Sequence, residues 1–344
     1  MSKKTTIYDI AKELNITAAT VSRALNDNPK ISKSTKELVF ETATRMKYEQ
    51  NRLAKALKSG KSYNVGVIVP RIDSNFFSSV IRGIEEELYP EGYHVIICQT
   101  HDQEDLEIKN INSLLNAQVD GVLMSISNGK LDENDSFHSL LEKNVPLIFF
   151  DRKKEINNVS SVTIDDYKGA YAATKHLIEQ GCKRIAHLSN NRKLEIFKNR
   201  YLGYKQAILD SGLEFDESLT EEIHSKVEAG RSTMKKFLEM DNPPDAIFSS
   251  SDFTALGAIQ EIKAQGLRIP EDICVVGFSN EPFTGFMELS ITSVDQSPME
   301  MGKIAAHVFL EEVNNKNKKV KSEKHVVLTP ELVVRKSSLK IPTD

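Results

Sequence analysis

Thr6–Asn26 reads TIYDIAKELNITAATVSRALN, and the rest of the 344-residue chain is best understood outward from this stretch. Ile7, Ile10, Ala11 and Leu14 recur at helical spacing and form one apolar stripe, while Thr6 and Asp9 stand at the two ends of a capping box. Asn15 falls where the chain must turn, and Asn tolerates the left-handed conformation better than any residue but Gly. Thr17 can cap a second helix in which Val21, Ala24 and Leu25 face inward and Ala18, Ala19, Ser22 and Arg23 stay outside. An exposed helix start with small residues, hydroxyls and one Arg suits a DNA major groove. The competing reading is a helical pair in some all-α domain.

Further along, Ser32 can cap a third helix whose Leu38, Val39, Thr42, Ala43 and Met46 share one face and close a small core over the first two helices. Tyr48 ends this unit, residues 1–49. Residues 50–62, QNRLAKALKSGKS, carry Leu53, Ala54 and Leu57 on one side of about two helical turns, and isolated helices that short are marginal in water. The segment is therefore either a linker or a hinge that becomes helical only when DNA and a partner helix hold it.

From Asn64 onward short apolar strands alternate with amphipathic helices: NVGVIVP, YHVIICQ, VDGVLMSI and VPLIFFD, then a restart at KRIAHLS, PDAIFSSS and DICVVGF. Continuous apolar strands separated by helices imply an α/β fold with a parallel sheet covered on both faces. The two series are roughly 120 residues out of phase, which predicts two doubly wound lobes with a ligand cleft at the strand carboxyl ends.

Charge is distributed unevenly. Residues 1–61 hold thirteen Lys or Arg against six Asp or Glu, a balance of +7 in a chain of net charge −4, so the remainder carries −11. A basic start on an acidic body predicts that only the first sixty or so residues meet a polyanion. No apolar run is long enough for a membrane span, and MSKKTTIYDI lacks the apolar core of a secretory signal, so a cytoplasmic location is expected. Cys98, Cys182 and Cys274 are widely spaced and odd in number, and are expected to be buried reduced thiols. The segment GFSNE resembles part of a nucleophile elbow, but the second glycine is missing and the strained turn is not encoded. With no HExxH, no P-loop and no GxGxxG after a strand, no enzyme activity, cofactor or metal is expected.

Taken together, TIYDIAKELNITAATVSRALN, NRLAKAL, GVIVPRIDSNFFSSVIRGIE and LTPELVVRKS resemble, in order and over essentially the whole chain, the LacI/GalR family of bacterial transcriptional regulators. The resemblance implies an N-terminal helix-turn-helix headpiece (1–49), a hinge (50–62) and a two-lobed, periplasmic-binding-protein-like (type I) effector domain. The implied lobes are 63–163 with 294–325 and 164–293 with 326–344. It also implies a homodimeric repressor on a pseudo-palindromic operator, controlled by a small sugar or sugar-like metabolite bound between the two lobes. By position, Thr6, Thr17, Thr20, Ser22, Asn26 and Thr35 match DNA-contacting hydroxyl and amide positions, and Arg23 a base-contacting one. Ala18 and Ala19 occupy the two positions that the family varies to choose its operator. Asn51, Ala54 and Leu57 match hinge positions that reach the minor groove, with Leu57 as the wedge. Gln50 and Lys55 depart from the Pro and Arg common at those places.

Effector-contacting positions implied by the resemblance are Asp73, Asn75, Phe76, Phe77, Ser125, Asp151, Arg152, Arg200, Asp252, Ser279 and Gln296. Many members carry an Asp where this chain has Ser279, so a carboxylate that commonly holds a sugar hydroxyl is missing or shifted, and a neutral sugar, a phosphorylated sugar or another polyol-like metabolite all fit. The competing function is a cytoplasmic sugar-binding or sensor protein whose role on DNA is architectural only.

Overall fold

The computed structural model describes residues 5–48, 61–127, 136–314 and 323–340. The chain divides into two compact units, Met1–Ser62 and Tyr63–Asp344.

In the first unit, α1 (Ile7–Glu13) opens on a complete capping box: Asp9 N–H donates to Thr6 Oγ1 and the Asp9 carboxylate accepts from Thr6 N–H at 2.8 Å. Asn15 takes φ +53°, turning the chain into α2 (Ala18–Leu25), whose first turn is capped by Thr17 at 3.1 Å. Ser32 caps α3 (Lys33–Arg45) through the N–H of Thr35 at 3.2 Å. Ile10, Ala11, Val21, Ala24, Val39 and Ala43 form the core. One expectation is corrected: Leu38 is 50% exposed. Val39, Thr42, Ala43 and Met46 already complete an i, i+3, i+4, i+7 stripe, and Leu38 lies a third of a turn off it.

The second unit has two lobes. The first is built on β1 (Asn64–Val69), β2 (His94–Gln99), β3 (Gly121–Met124), β4 (Leu147–Phe150), β5 (Ser160–Ile164) and β11 (His325–Leu328). All pairings are parallel, in the order β11-β5-β4-β3-β1-β2. Alternate residues face opposite layers. Val65, Val67, Leu123 and Ile148 pack toward α4 (Asn75–Leu88) and α12 (Pro298–Asn314), whereas Ile68, Val122 and Phe149 pack toward α5 (Glu104–Asn116) and α6 (Ser136–Glu142).

The second lobe holds β6 (Ile185–Ser189), β7 (Thr220–Glu222), β8 (Ala246–Ser249), β9 (Cys274–Phe278), β10 (Thr292–Asp295) and β12 (Glu331–Val333), in the order β12-β10-β9-β8-β6-β7, with only β10 and β12 antiparallel. Its layers are α7 (Asp166–Glu179) with α8 (Glu195–Asp210), and α9 (Val227–Leu238) with α10 (Asp252–Ala264); α11 (Phe283–Phe286) is a single turn.

The chain crosses between lobes after Ile164, after Asp295 and after Leu328. This corrects all three expected lobe limits: β5 runs through Ile164 in the first sheet, so the break at 163/164 moves by one residue. β10 belongs wholly to the second sheet, so the return at 293/294 moves past Asp295. β11 pairs along its whole length with β5, so the break at 325/326 moves past Leu328. Strands β5, β7, β10, β11 and β12 were also absent from the sequence-based series. Cys182 and Cys274 are buried and all three thiols are free, but Cys98 on the edge strand β2 is only half-buried. Among the described residues, no helix is long and apolar enough to cross a membrane.

Close helix contact fixes the first lobe. A Cβ on Gly302 of α12 would lie 2.1 Å from the Val80 carbonyl oxygen of α4, and one on Gly83 of α4 would lie 2.2 Å from the Met299 carbonyl oxygen of α12. The two backbones therefore touch where both side chains are missing. Gly302→Ala should destabilise the effector unit by roughly 1–3 kcal/mol, because the obstacle is backbone and cannot rotate away. Chemical denaturation of wild type and variant measures this; equal midpoints would show that the helices part at no cost.

Candidate functional site

Two surfaces carry the sequence-derived positions, one in each unit. On the first, Ala19 and Arg23 are exposed and stand four residues apart on one face of α2, with Ala18, Thr20 and Ser22 half-buried beside them. Arg23 forms no ion pair among the described residues, so its planar fork of N–H donors is available to a guest acceptor. The hydroxyls sit at helix starts. Thr6 donates to the Asp9 carboxylate at 2.7 Å, Thr17 and Thr20 Oγ1 lie 2.9 Å apart, and Thr35 Oγ1 lies 2.7 Å from Ser32 Oγ. Asn26 Nδ2 closes α2 on the Ser22 carbonyl at 2.7 Å. A hydroxyl serves both purposes, its oxygen accepting a backbone N–H in the cap and its O–H able to donate to a phosphate beside the outward-pointing N–H groups of a helix start. Asn51, Ala54 and Leu57 lie outside the described residues.

The second surface is the cleft between the lobes, and its centre is Arg200. Only 3% exposed, Arg200 projects from α8. Its Nε donates to Asp166 at 2.7 Å, one terminal nitrogen donates to the Ser250 carbonyl at 3.0 Å, and the other to Gln296 Oε1 at 3.2 Å. The guanidinium carbon lies 3.7 Å from the centroid of the Phe278 ring. A guanidinium has five N–H donors, so these three bonds leave two for a ligand. Gln296 passes the connection on, donating to Ser279 Oγ at 2.8 Å.

Across the cleft, Ser125 donates to Asp151 at 3.0 Å, and Arg152 pairs with Asp102 at 2.5 Å. Burial pushes the Asp151 carboxyl up, against the pull of Arg152 and Arg200, and burial likewise pushes Asp166 up to about 6 against Arg200. Between the lobes lies a cavity of about 50 Å³, lined by Ile126, Asp151, Arg152, Thr163, Asp166 and Asn199 among others. Only about one or two waters fit such a volume, so a guest of sugar size would have to part the lobes or move these side chains.

The remaining implied positions behave differently. Asp73 is exposed and held by Arg71 at 2.8 and 2.9 Å. Asn75 is the half-buried first residue of α4, but Phe76 and Phe77, each 6% exposed and edge-to-face at 5.1 Å, belong to the core. They form a wall rather than open stacking platforms. Asp252 is fully buried, and both its oxygens are taken, by Glu281 N–H at 2.8 Å and Ser293 Oγ at 2.7 Å. Its work is to hold the turn after β9, and this corrects its reading as an effector contact. The turn itself is another correction: Ser279 takes φ +112° and Asn280 φ +49°, so the strained geometry is present without the glycine that would encode it.

Lys153, Asp166, Glu195 and Asn199 line the cleft without having been identified from the sequence. Asp166 follows β5, and a reading that finds β5 finds Asp166 at its carboxyl end.

Comparison with known proteins matches both units of the chain. The family description for bacterial regulatory proteins of the lacI family matches residues 6–51, and the one for periplasmic binding proteins and the sugar binding domain of the LacI family matches residues 62–333. Catabolite control protein A of Priestia megaterium is 34% identical over 310 residues, covering 90% of this chain and 92% of that protein. The HTH-type transcriptional repressor PurR of Haemophilus influenzae is 31% identical over 335 residues, 96% and 98% of the two chains. Among solved structures, the transcriptional regulator CelR–cellobiose complex superposes with a TM-score of 0.72 at 27% identity, over 97% of this chain and 100% of that one. The chain belongs to the LacI family: it is a DNA-binding transcriptional regulator whose second unit is the family's metabolite-binding domain.

Proposed function

We propose that the protein is a repressor that acts as a homodimer on a pseudo-palindromic operator and is controlled by a neutral sugar or sugar-like polyol held between its lobes. Residues 1–49 read DNA, 50–62 act as the hinge, and the effector changes the angle between the lobes and with it the setting of the two hinges. Arg23 supplies base readout in the major groove. Ala18 and Ala19 offer only apolar contact, and Thr6, Thr17, Thr20, Ser22, Asn26 and Thr35 position the headpiece on phosphates. Asn51, Ala54 and Leu57 enter the minor groove.

The observation that carries the effector reading is that, among the described residues, the two cations lining the cavity and Arg200 beside it already have carboxylates: Arg200 has Asp166, Arg152 has Asp102 and Lys153 has Glu155. A phosphate would have to break one of these pairs, whereas a polyol needs only the two unused Arg200 donors and the oxygens of Asp151, Asp166 and Asn199. The CelR–cellobiose complex, with the same fold, supports a sugar. Control arises because the effector binds the two lobe arrangements with different affinity.

Selection of operator sites from random DNA should enrich a palindrome, and Arg23→Ala should lose about 1–3 kcal/mol of discrimination at one base pair of each half-site. Recovery of no palindrome would overturn the reading.

A screen of sugars and sugar phosphates against the operator complex should find a neutral sugar that alters DNA affinity. Arg200→Lys, which keeps the charge but not the planar fork, should lose that response and retain operator binding. An unchanged response would remove Arg200 from the site.

Asp166, pushed up to about 6, accepts hydrogen bonds from a polyol best when ionised. Ligand binding therefore favours the ionised form. Sugar affinity measured by calorimetry should be level above about pH 7 and fall as the pH drops through 6; affinity that rises on acidification would argue for an anionic effector.

A further inference from the structure

At the amino ends of the parallel strands β9 and β10, on the opposite edge of the second lobe from the cleft, three segments of chain frame a cavity of about 570 Å³. Ile269, Pro270 and Glu271 precede β9, Leu289 precedes β10, and Lys336, Leu339 and Lys340 follow β12. The volume is in the range of pockets that hold small organic ligands.

The walls are fixed without a guest. Arg268 grips the Asp272 carboxylate at 2.7 and 3.0 Å and so closes the loop that carries Ile269, Pro270 and Glu271. In the C-terminal segment, the buried Ser337 donates to the Val275 carbonyl at 2.6 Å and accepts from Thr292 N–H at 2.9 Å, and Lys340 N–H donates to Gln180 Oε1 at 2.9 Å. A site whose walls need no ordering loses less on binding.

Its chemistry is the reverse of the cleft's. Ile269, Pro270, Leu289 and Leu339 are half-buried and offer apolar surface. The cations of the cleft are paired with carboxylates, whereas among the described residues neither the Lys336 nor the Lys340 ammonium forms an ion pair or a hydrogen bond. Glu271 lines the same cavity and pairs with neither, and Asp272, which feels the Lys340 charge, has both oxygens held by Arg268. Two unpaired cations beside apolar side chains, in the part of the chain that carries −11, attract one kind of guest: an anion with an apolar body.

We propose that this cavity is a second small-molecule site, separate from the effector cleft, for an amphipathic anion of the medium-chain carboxylate kind. The carboxylate meets the ammonium groups of Lys336 and Lys340, and the chain covers Ile269, Pro270, Leu289 and Leu339. The five residues of β9, at about 3.3 Å each, set the site roughly 15 Å from Phe278 and the cleft, so both sites can be filled at once. The inference stands apart from the identity of the effector and of the operator.

Octanoate, titrated into the full chain labelled with carbon-13 at Ile and Leu methyl groups, should give saturable shifts at Ile269, Leu289 and Leu339, and none at Ile126, Ile164 and Leu194, which line the cleft. Lys336→Gln combined with Lys340→Gln should weaken octanoate binding by about tenfold or more, the loss expected when a charged group is left without its partner. Octanol, with the same chain and no charge, should bind the wild type about tenfold more weakly than octanoate for the same reason. Shifts that fail to appear or to saturate, or that fall on the cleft methyls instead, would overturn the proposal. So would octanoate affinity that the double variant keeps, or octanol that binds as tightly as octanoate. Leu289 and Leu339 methyl positions that depend on protein concentration before any octanoate is added would seat a second copy in the groove, and overturn it as well.

Discussion

A buried guanidinium is the constraint on which the effector unit depends. Removing an arginine charge from water costs several kcal/mol unless its donors are satisfied and a counter-charge is near. At 3% exposure Arg200 has little recourse to solvent, and its partners are therefore obligatory. They come from separate places: Asp166 lies just past the first crossover between lobes, Gln296 lies on the second, and the Ser250 carbonyl follows β8. The Phe278 ring closes the remaining face at 3.7 Å. One side chain on α8 thus ties together two of the three strands of chain about which the lobes can move.

That arrangement explains how a small ligand acts at a distance. Bistable packing, rather than continuous bending, is what converts a local contact into a rigid-body change. The helix pairs on both sides are close-packed through glycine, as at Gly83 with Gly302, which resists deformation within each lobe. Rearrangement is left to the crossovers and to the polar contacts that bridge them. In the proposed mechanism a ligand that takes up the unused donors of Arg200 alters the balance of contacts at the junction, and DNA affinity follows to the extent that the two arrangements set the hinges differently.

Much of the first unit was legible in the sequence because its determinants are local. Thr6 with Asp9, Thr17 and Ser32 are caps, Asn15 is the left-handed turn, and each acts within a few residues of itself. Leu38 was misplaced because apolar character alone does not say which side of a stripe a neighbouring helix covers. The effector unit was legible as alternating strands and helices, but β5, reading SSVTI, was hidden. Its Ser160, Ser161 and Thr163 look like loop residues until the fold supplies Glu312 and His325 as partners for the two serines. With β5 went Asp166, the residue that balances Arg200. Asp252 erred in the opposite direction, since a sequence places a carboxylate after a strand but cannot reveal that both its oxygens are spent on Glu281 and Ser293. The same limit applies to Ser279, whose positive φ is imposed by Asp252, Ser293, Asp295 and Arg335 around the turn and not by any glycine within it.

In the proposed mechanism, occupancy of the cleft and grip on DNA are two readings of one equilibrium. Linkage then demands reciprocity. The direct measurement is a thermodynamic square: operator affinity with and without saturating sugar, and sugar affinity with and without saturating operator, on the same dimer at one salt concentration. Both ratios should differ from one and equal each other. Operator affinity that is the same whether the cleft is empty or filled would contradict it.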